Sequence, residues 1–263
     1  MIPALYLVCG IFYLKDLYYN PDSEKNLIPV LMRFQVLIHA VILFAQAMVM
    51  TQVTRSLVID SMAFATMFLL WSSLRAKESA KLLIPVWPVA FFFSLLATVL
   101  PEAELLSEAN VEYAKSIYLH IFLALVGYAS FFLVTLTALL YLMQRHFLKK
   151  AISHLWMKYC PSLLQLSKIQ QRALWVGIVA FTLSIGLGKL SPYLWGIEHK
   201  WSSKEILSVV IWSIYTVMAI VRHFFHTRKD WFAYSALAGF LLVVFTIFIL
   251  GFFSVQPTEE VVQ

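Results

Sequence analysis

Charge is scarce in this 263-residue chain: Lys, Arg, Asp and Glu make up 13% of it, against 61% hydrophobic residues and a mean hydropathy of +0.81. So few charges cannot solvate the surface of a soluble domain, which excludes that class. Cysteine is scarcer still. Cys9 and Cys160 lie far apart with no Cys-x-x-Cys, so thiol redox chemistry, a thiolate zinc site and covalent attachment of a cofactor have no support. Only eight glycines are scattered along the chain, and no phosphate-cradling loop, metalloprotease His pair or Gly-x-Ser-x-Gly elbow occurs. The templates of soluble enzymes and of nucleic-acid binding are therefore absent.

What is present is apolar length. Runs over 2–19, 30–50, 56–74, 82–100, 117–143, 173–190, 205–226 and 232–253 read as helices. Each is long enough to cross a hydrocarbon core of about 30 Å at about 1.5 Å per residue. The expected fold class is all-α: a polytopic integral membrane protein, one membrane domain over residues 1–263, with about eight transmembrane helices. The first run is kept as a span, because no Lys or Arg precedes Lys15 and no small-residue cleavage site follows it. Residues 144–172 mix basic and apolar side chains, with a break at Pro161, and read as an amphipathic segment lying on anionic lipid or docking a soluble partner.

Cations in alternate loops set the orientation. One set contains Lys15, Lys25, Arg33, Arg75, Lys77, Lys81, Arg145, Lys149, Lys150, Lys158, Lys168, Arg172, Arg222, Arg228 and Lys229, fifteen in all; the other contains five, Arg55, Lys115, Lys189, Lys200 and Lys204. That asymmetry places both termini outside the cytoplasm of a bacterial inner membrane, together with the loop around Trp195. The acidic outer loop with Glu102, Glu104, Glu108 and Glu112 reads as a solvated surface.

The most informative stretch runs from Trp195 to Tyr215, where two Trp, His199 and alternating charges lead straight into an apolar helix. A flat apolar ligand with charged edges would meet rings, an imidazole and cations there together, and haem is such a ligand. The alternative is an interfacial tryptophan belt. Across Trp201, Lys204, Glu205, Ser208, Trp212 and Tyr215, in one gapless register, the stretch resembles the tryptophan-rich segment of the cytochrome c assembly protein family (CcsA/CcmC-type haem-handling membrane proteins). Ser202 and Ser203 stand where the family has Asp-Pro, and Ile206-Leu207 replace Thr-Trp, so the likeness is to the HemX/YpjD-like branch.

Histidines within or at the ends of spans are costly in lipid and mark function. His39 lies about nine residues into the second span, roughly 13 Å from its cytoplasmic edge. His120 opens the fifth span in a string that resembles the family's His-x₇-Tyr-Ala helix start. His223 and His226 close the seventh, three residues apart on one face, and His226-Thr227-Arg228 resembles the family's His-Thr-Arg. His146 and His154 read as surface residues, and Asp60 as either a snorkelling interface residue or the partner of a His. The resemblance implies His39, His120, His223 and His226 as iron ligands, Trp195, Trp201 and Trp212 as porphyrin platforms, and Arg222 as a propionate partner, the ligand being non-covalent b-type haem. The implied function is handling or presenting haem in cytochrome c maturation. Its partners would be the lipid bilayer, haem, and other cytochrome c assembly proteins or a cytoplasmic haem-synthesis enzyme. The alternatives are control of glutamyl-tRNA reductase, the first committed enzyme of haem synthesis, or a non-haem transporter or structural subunit. Full haem lyase activity is not expected, because no second external His follows the last span.

Overall fold

Each of the eight apolar runs is helical where it is described, the conformation in which a segment satisfies its own backbone hydrogen bonds. The computed structural model describes residues 2–19, 28–49, 53–73, 82–101, 104–106, 111–150, 160–194, 196, 203–225 and 229–253. The helices among them are α1 (Ile2–Tyr19), α2 (Ile28–Val49), α3 (Arg55–Ser73), α4 (Leu83–Val99), α5 (Val111–Lys149), α6 (Leu163–Leu194), α7 (Ser203–Phe225) and α8 (Lys229–Phe253). Lys115–Lys149, Leu163–Leu194 and Glu205–Phe224 are long and apolar enough to cross a membrane, and Ile2–Lys15, Val30–Gln46 and Pro85–Val99 are shorter apolar helices. Large apolar side chains such as Phe34, Val41, Phe44, Phe92 and Phe224 face outward, as they do in a chain surrounded by lipid.

Two helices outrun the bilayer. At about 1.5 Å per residue, the 39 residues of α5 and the 32 of α6 exceed the roughly 30 Å hydrocarbon core. Residues 144–149 and 163–172 of the amphipathic segment are continuous with these spans, and 151–159 lie outside the described residues. The restart of the chain after Pro161 is a capping box: the Ser162 amide donates to Gln165 Oε1 at 3.2 Å, and the Gln165 amide donates to Ser162 Oγ at 3.4 Å.

Contacts between connecting segments sort the helix ends into two groups. At one end, Val53–Thr54 pairs antiparallel with Glu104–Leu106, Ser116 hydrogen-bonds Ser191, and Lys189 Nζ lies 3.4 Å from Glu205 Oε2. At the other, Arg145 pairs with Asp230, and Arg222 donates to Ser167 and Gln170. This is the alternation an up-and-down membrane bundle requires. The end after α6 also carries Gly196, whose φ of +65° is a conformation glycine adopts without strain, and whose amide donates to the Tyr193 carbonyl.

The core is centred on α5 and α6, which form the most extensive helix pair. Small residues at 173, 177, 180, 184 and 188 repeat along α6 at helical spacing, so the two backbones approach closely. The packing is reciprocal. Phe181 of α6 fills the space that a side chain at Gly127 of α5 would need, and Phe131 of α5 fills the space at Gly177 of α6, where a Cβ would sit 2.7 Å from the ring. Phe131 and Phe181 are both buried, and Phe131 also stacks on Tyr215 of α7 with ring centroids 3.8 Å apart and planes 4° from parallel. One aromatic thus joins three helices.

Gly177→Leu is expected to lower stability by about 1–3 kcal/mol, since Phe131 and Ser130 already occupy the space. Gly186→Ala on the same helix, where nothing lies within 4 Å of a new Cβ, should be neutral or stabilising by up to about 1 kcal/mol. Unfolding midpoints in mild detergent compare the two, and equal effects would contradict this packing.

Candidate functional site

The notch that seats Phe131 has a counterpart about three turns further along α6, at Gly188, and there the inserted ring is His120. A Cβ at 188 would lie 2.8 Å from Cε1 and 2.9 Å from Nδ1 of that imidazole, so the ring fits only because the position is glycine. His120 Nδ1 is 2.7 Å from the Ser184 carbonyl oxygen. A carbonyl only accepts, so the proton sits on Nδ1 and the lone pair on Nε2. Ser184 Oγ donates to the His120 carbonyl at 2.9 Å, which leaves its oxygen to accept a second branch from Nδ1 at 3.1 Å. A carbonyl that fixes the tautomer and the ring plane of an imidazole is the usual outer-shell support of a metal-binding His.

His120 lines a cleft of about 130 Å³ between α5, α6 and α7, together with Phe181, Lys189, Glu205 and Ser208. That volume is well below the roughly 300 Å³ of an enclosing ligand pocket. The cleft has room for the edge of a large flat ligand at the imidazole, with the body of the ligand outside it.

Against this geometry, the model of the cytochrome c assembly protein family matches residues 3–256. The chain belongs to the cytochrome c assembly protein family. No individually curated protein matches it. Membership links it to cytochrome c maturation, to a multi-pass location in a lipid membrane, and to a family associated with haem handling.

The other expected site residues of this cytochrome c assembly protein fall in separate places. Trp212, half-buried on α7, donates from Nε1 to Thr182 Oγ1 of α6 at 2.8 Å, and Thr182 in turn donates to the Ile178 carbonyl. His223 is exposed at the far end of α7, fifteen residues beyond Ser208 and so about 22 Å along the helix from the His120 cleft. The two imidazoles do not meet one iron. Trp195, Trp201, His226, His199 and His154 lie outside the described residues, and His146 is exposed.

His39 is fully buried within α2, flanked by the rings of Tyr6 and Phe64. Its Nδ1 lies 3.0 Å from the Tyr6 hydroxyl, and its Nε2 lies 3.4 Å from Asp60 Oδ2 without hydrogen-bond alignment. Of the two readings of Asp60, the structure takes the second: it faces a His. Both ring nitrogens are closed off by neighbours, and a macrocycle reaches this ring only by displacing Tyr6 or Asp60.

Arg222 donates to Gln170 Oε1 at 3.1 Å, to the Ser167 carbonyl at 3.0 Å and to Ser167 Oγ at 2.9 Å, and its guanidinium lies 4.0 Å from the Phe232 ring centroid. These contacts clamp α7 to α6 and α8. Sequence reasoning singles out His39, His120 and Trp212 but not Tyr6, Ser184, Gly188 or Thr182, which hold those side chains in place; the small-residue repeat on α6 is the one local signal that points to any of them.

Arg222→Leu should lower stability by about 2 kcal/mol or more, since it strips a half-buried cation from three acceptors and leaves those of Gln170 and Ser167 unpaired. An unchanged unfolding midpoint with lost ligand binding would instead mark a ligand-facing arginine.

Proposed function

We propose that this chain is a non-covalent carrier of b-type haem, of the HemX/YpjD-like branch, that presents haem at the outer face of a bacterial inner membrane for cytochrome c maturation. The observation that carries the reading is the His120 imidazole, locked by the Ser184 carbonyl in the tautomer that keeps Nε2 free to bind iron, and lining a cleft together with Lys189. Haem, when bound, brings a ferric or ferrous centre that accepts one imidazole nitrogen. The chain's own residues do the rest: Ser184 and Gly188 fix the ring, the Lys189–Glu205 pair supplies charge at the ligand's polar edge, and Trp195, Trp201 and Trp212 give it apolar surface.

His223 and His226 supply a second imidazole position at the opposite face, where haem is gained or passed on. His39 is left out of the iron-binding set because Tyr6 and Asp60 occupy both sides of its ring. The role is binding and presentation, with no bond-forming step. The fifteen-to-five cation split supports the orientation, with both termini extracytoplasmic. A reporter fused after Gln263 should be active only outside the cytoplasm, and activity inside would reverse the sidedness of the His120 cleft.

His120→Ala is expected to cut haem per polypeptide, measured as the pyridine haemochrome of protein purified in mild detergent, by about tenfold or more, in the range that loss of a metal ligand's support produces. His39→Ala should leave it within about twofold. Equal haem content in His120→Ala and the unsubstituted chain would remove the cleft from the function, and a loss confined to His39→Ala would move the site into the bundle.

A further inference from the structure

Helices α3, α4, α5 and α8 surround a cavity of about 520 Å³ that lies against a different face of α5 from the His120 cleft. α3 contributes Val58, Ile59 and Met62 to it, α4 contributes Phe93, and α5 and α8 contribute Phe132 and Phe240. The described lining side chains are hydrocarbon, aromatic or thioether apart from the Tyr128 hydroxyl, which hydrogen-bonds Ser208 of α7. A space this apolar stays dry, because water inside it would find no polar partners. Its volume is that of a pocket for an apolar ligand. Helix packing also leaves it a side entrance. α4 packs against α3 and α1, and α8 against α5 and α7, whereas α4 and α8 make no extensive contact with each other among the described residues. The cavity is a groove floored by α3 and α5, which do pack together, with α4 and α8 as separate banks.

Shape and chemistry together select the occupant. The lining runs from Val89 to Leu96 on α4 and from Leu125 to Phe132 on α5, about 10 Å of each helix at about 1.5 Å per residue, so the space extends along the helix axes as a lipid chain does. A ring with polar substituents would find no donor in these walls, since the Tyr128 hydroxyl is already engaged. A hydrocarbon chain enters from the surrounding lipid without crossing water. A cation stands at one end of the groove. Arg55 is the first residue of α3 and is half-buried, and at i, i+4 and i+7 it shares one helix face with the groove residues Ile59 and Met62. Helical side chains lean toward the N-terminus, which carries the guanidinium away from the apolar walls to the end of the span, at headgroup level. A guanidinium there is suited to a phosphate diester. We propose that this groove binds one glycerophospholipid, with an acyl chain between α4 and α8 and the headgroup phosphate on Arg55.

The chain then bridges two helices that do not close on each other. Phe131, which joins α5 to α7 through its stack on Tyr215, also lines the groove, so the bound chain packs against the same aromatic that orders the core.

The test uses the full-length chain in mild detergent with phosphatidylglycerol that carries a diazirine midway along one acyl chain; after irradiation, the attachment sites are mapped by mass spectrometry. Label is expected on residues 58–62, 89–96 and 125–132, well above that on the outward face of α2 at Phe34 and Val41, which measures lipid merely lying on the surface. Unlabelled dioleoyl phosphatidylglycerol should displace the groove label at about fivefold lower concentration than dioleoylglycerol, which has the same chains and no phosphate, and Arg55→Gln should erase that difference while the groove stays labelled. Met62→Trp, which fills the groove with a larger side chain, should remove the groove label and spare that on α2, and Val89→Phe serves where Met62→Trp does not accumulate. Label spread evenly over the groove and α2, as a loose surrounding shell of lipid would give, overturns the proposal. Equal displacement by the two competitors, a difference between them that persists in Arg55→Gln, or a groove label that survives filling overturns it as well.

Discussion

Close approach of α5 and α6 is the constraint on which the rest depends. In lipid there is little hydrophobic drive to bring two apolar helices together, so association rests on packing and interhelical hydrogen bonds. The glycines at 127 and 177 convert that requirement into reciprocal insertion of Phe181 and Phe131, and Gly188 repeats it with His120. The ring that faces the cleft is held by the same device that holds the core. Phe131 carries the order onward, since its stack on Tyr215 fixes α7, and α7 brings Glu205 and Ser208 to the cleft and Trp212 to Thr182.

Three histidines that look alike in the sequence end in three different environments. His120 is pinned through Nδ1 with Nε2 available, His39 is enclosed by Tyr6 and Asp60, and His223 is exposed at the other end of α7. Distance along α7 separates His223 from the cleft. Burial and the carboxylate partner separate His39 from it. A transmembrane His therefore has different chemistry according to what closes its second nitrogen.

Much of the architecture was legible because the bilayer imposes it locally. Apolar run lengths give the helices, and the spacing of Trp201, Lys204, Glu205, Ser208, Trp212 and Tyr215 carries the family resemblance. The cytoplasmic-segment ends of α5 and α6 look in the sequence like a separate amphipathic segment, because a helix leaving the hydrocarbon changes composition without changing conformation. The capping box at Ser162 and Gln165 was the available clue to the restart. The pairing of His39 with Asp60, the hold of Ser184 on His120 and the donors of Arg222 join residues 21, 64 and 52 to 55 positions apart, respectively. Such contacts depend on helix rotation and tilt, which a single sequence does not fix. Asp60 illustrates this: the sequence allowed an interface residue or a histidine partner, and the rotation of α3 against α2 decides between them.

The proposed haem site depends on His120 Nε2 being the nitrogen that meets iron, and a cavity-rescue spectrum tests that most directly. His120→Gly, reconstituted with one equivalent of haemin, is predicted to lose the Soret position of the unsubstituted chain and to regain it when free imidazole is added, because the Ser184 carbonyl and the Gly188 notch remain to orient the replacement ring. A His120→Gly spectrum identical to that of the unsubstituted chain before any imidazole is added would contradict it.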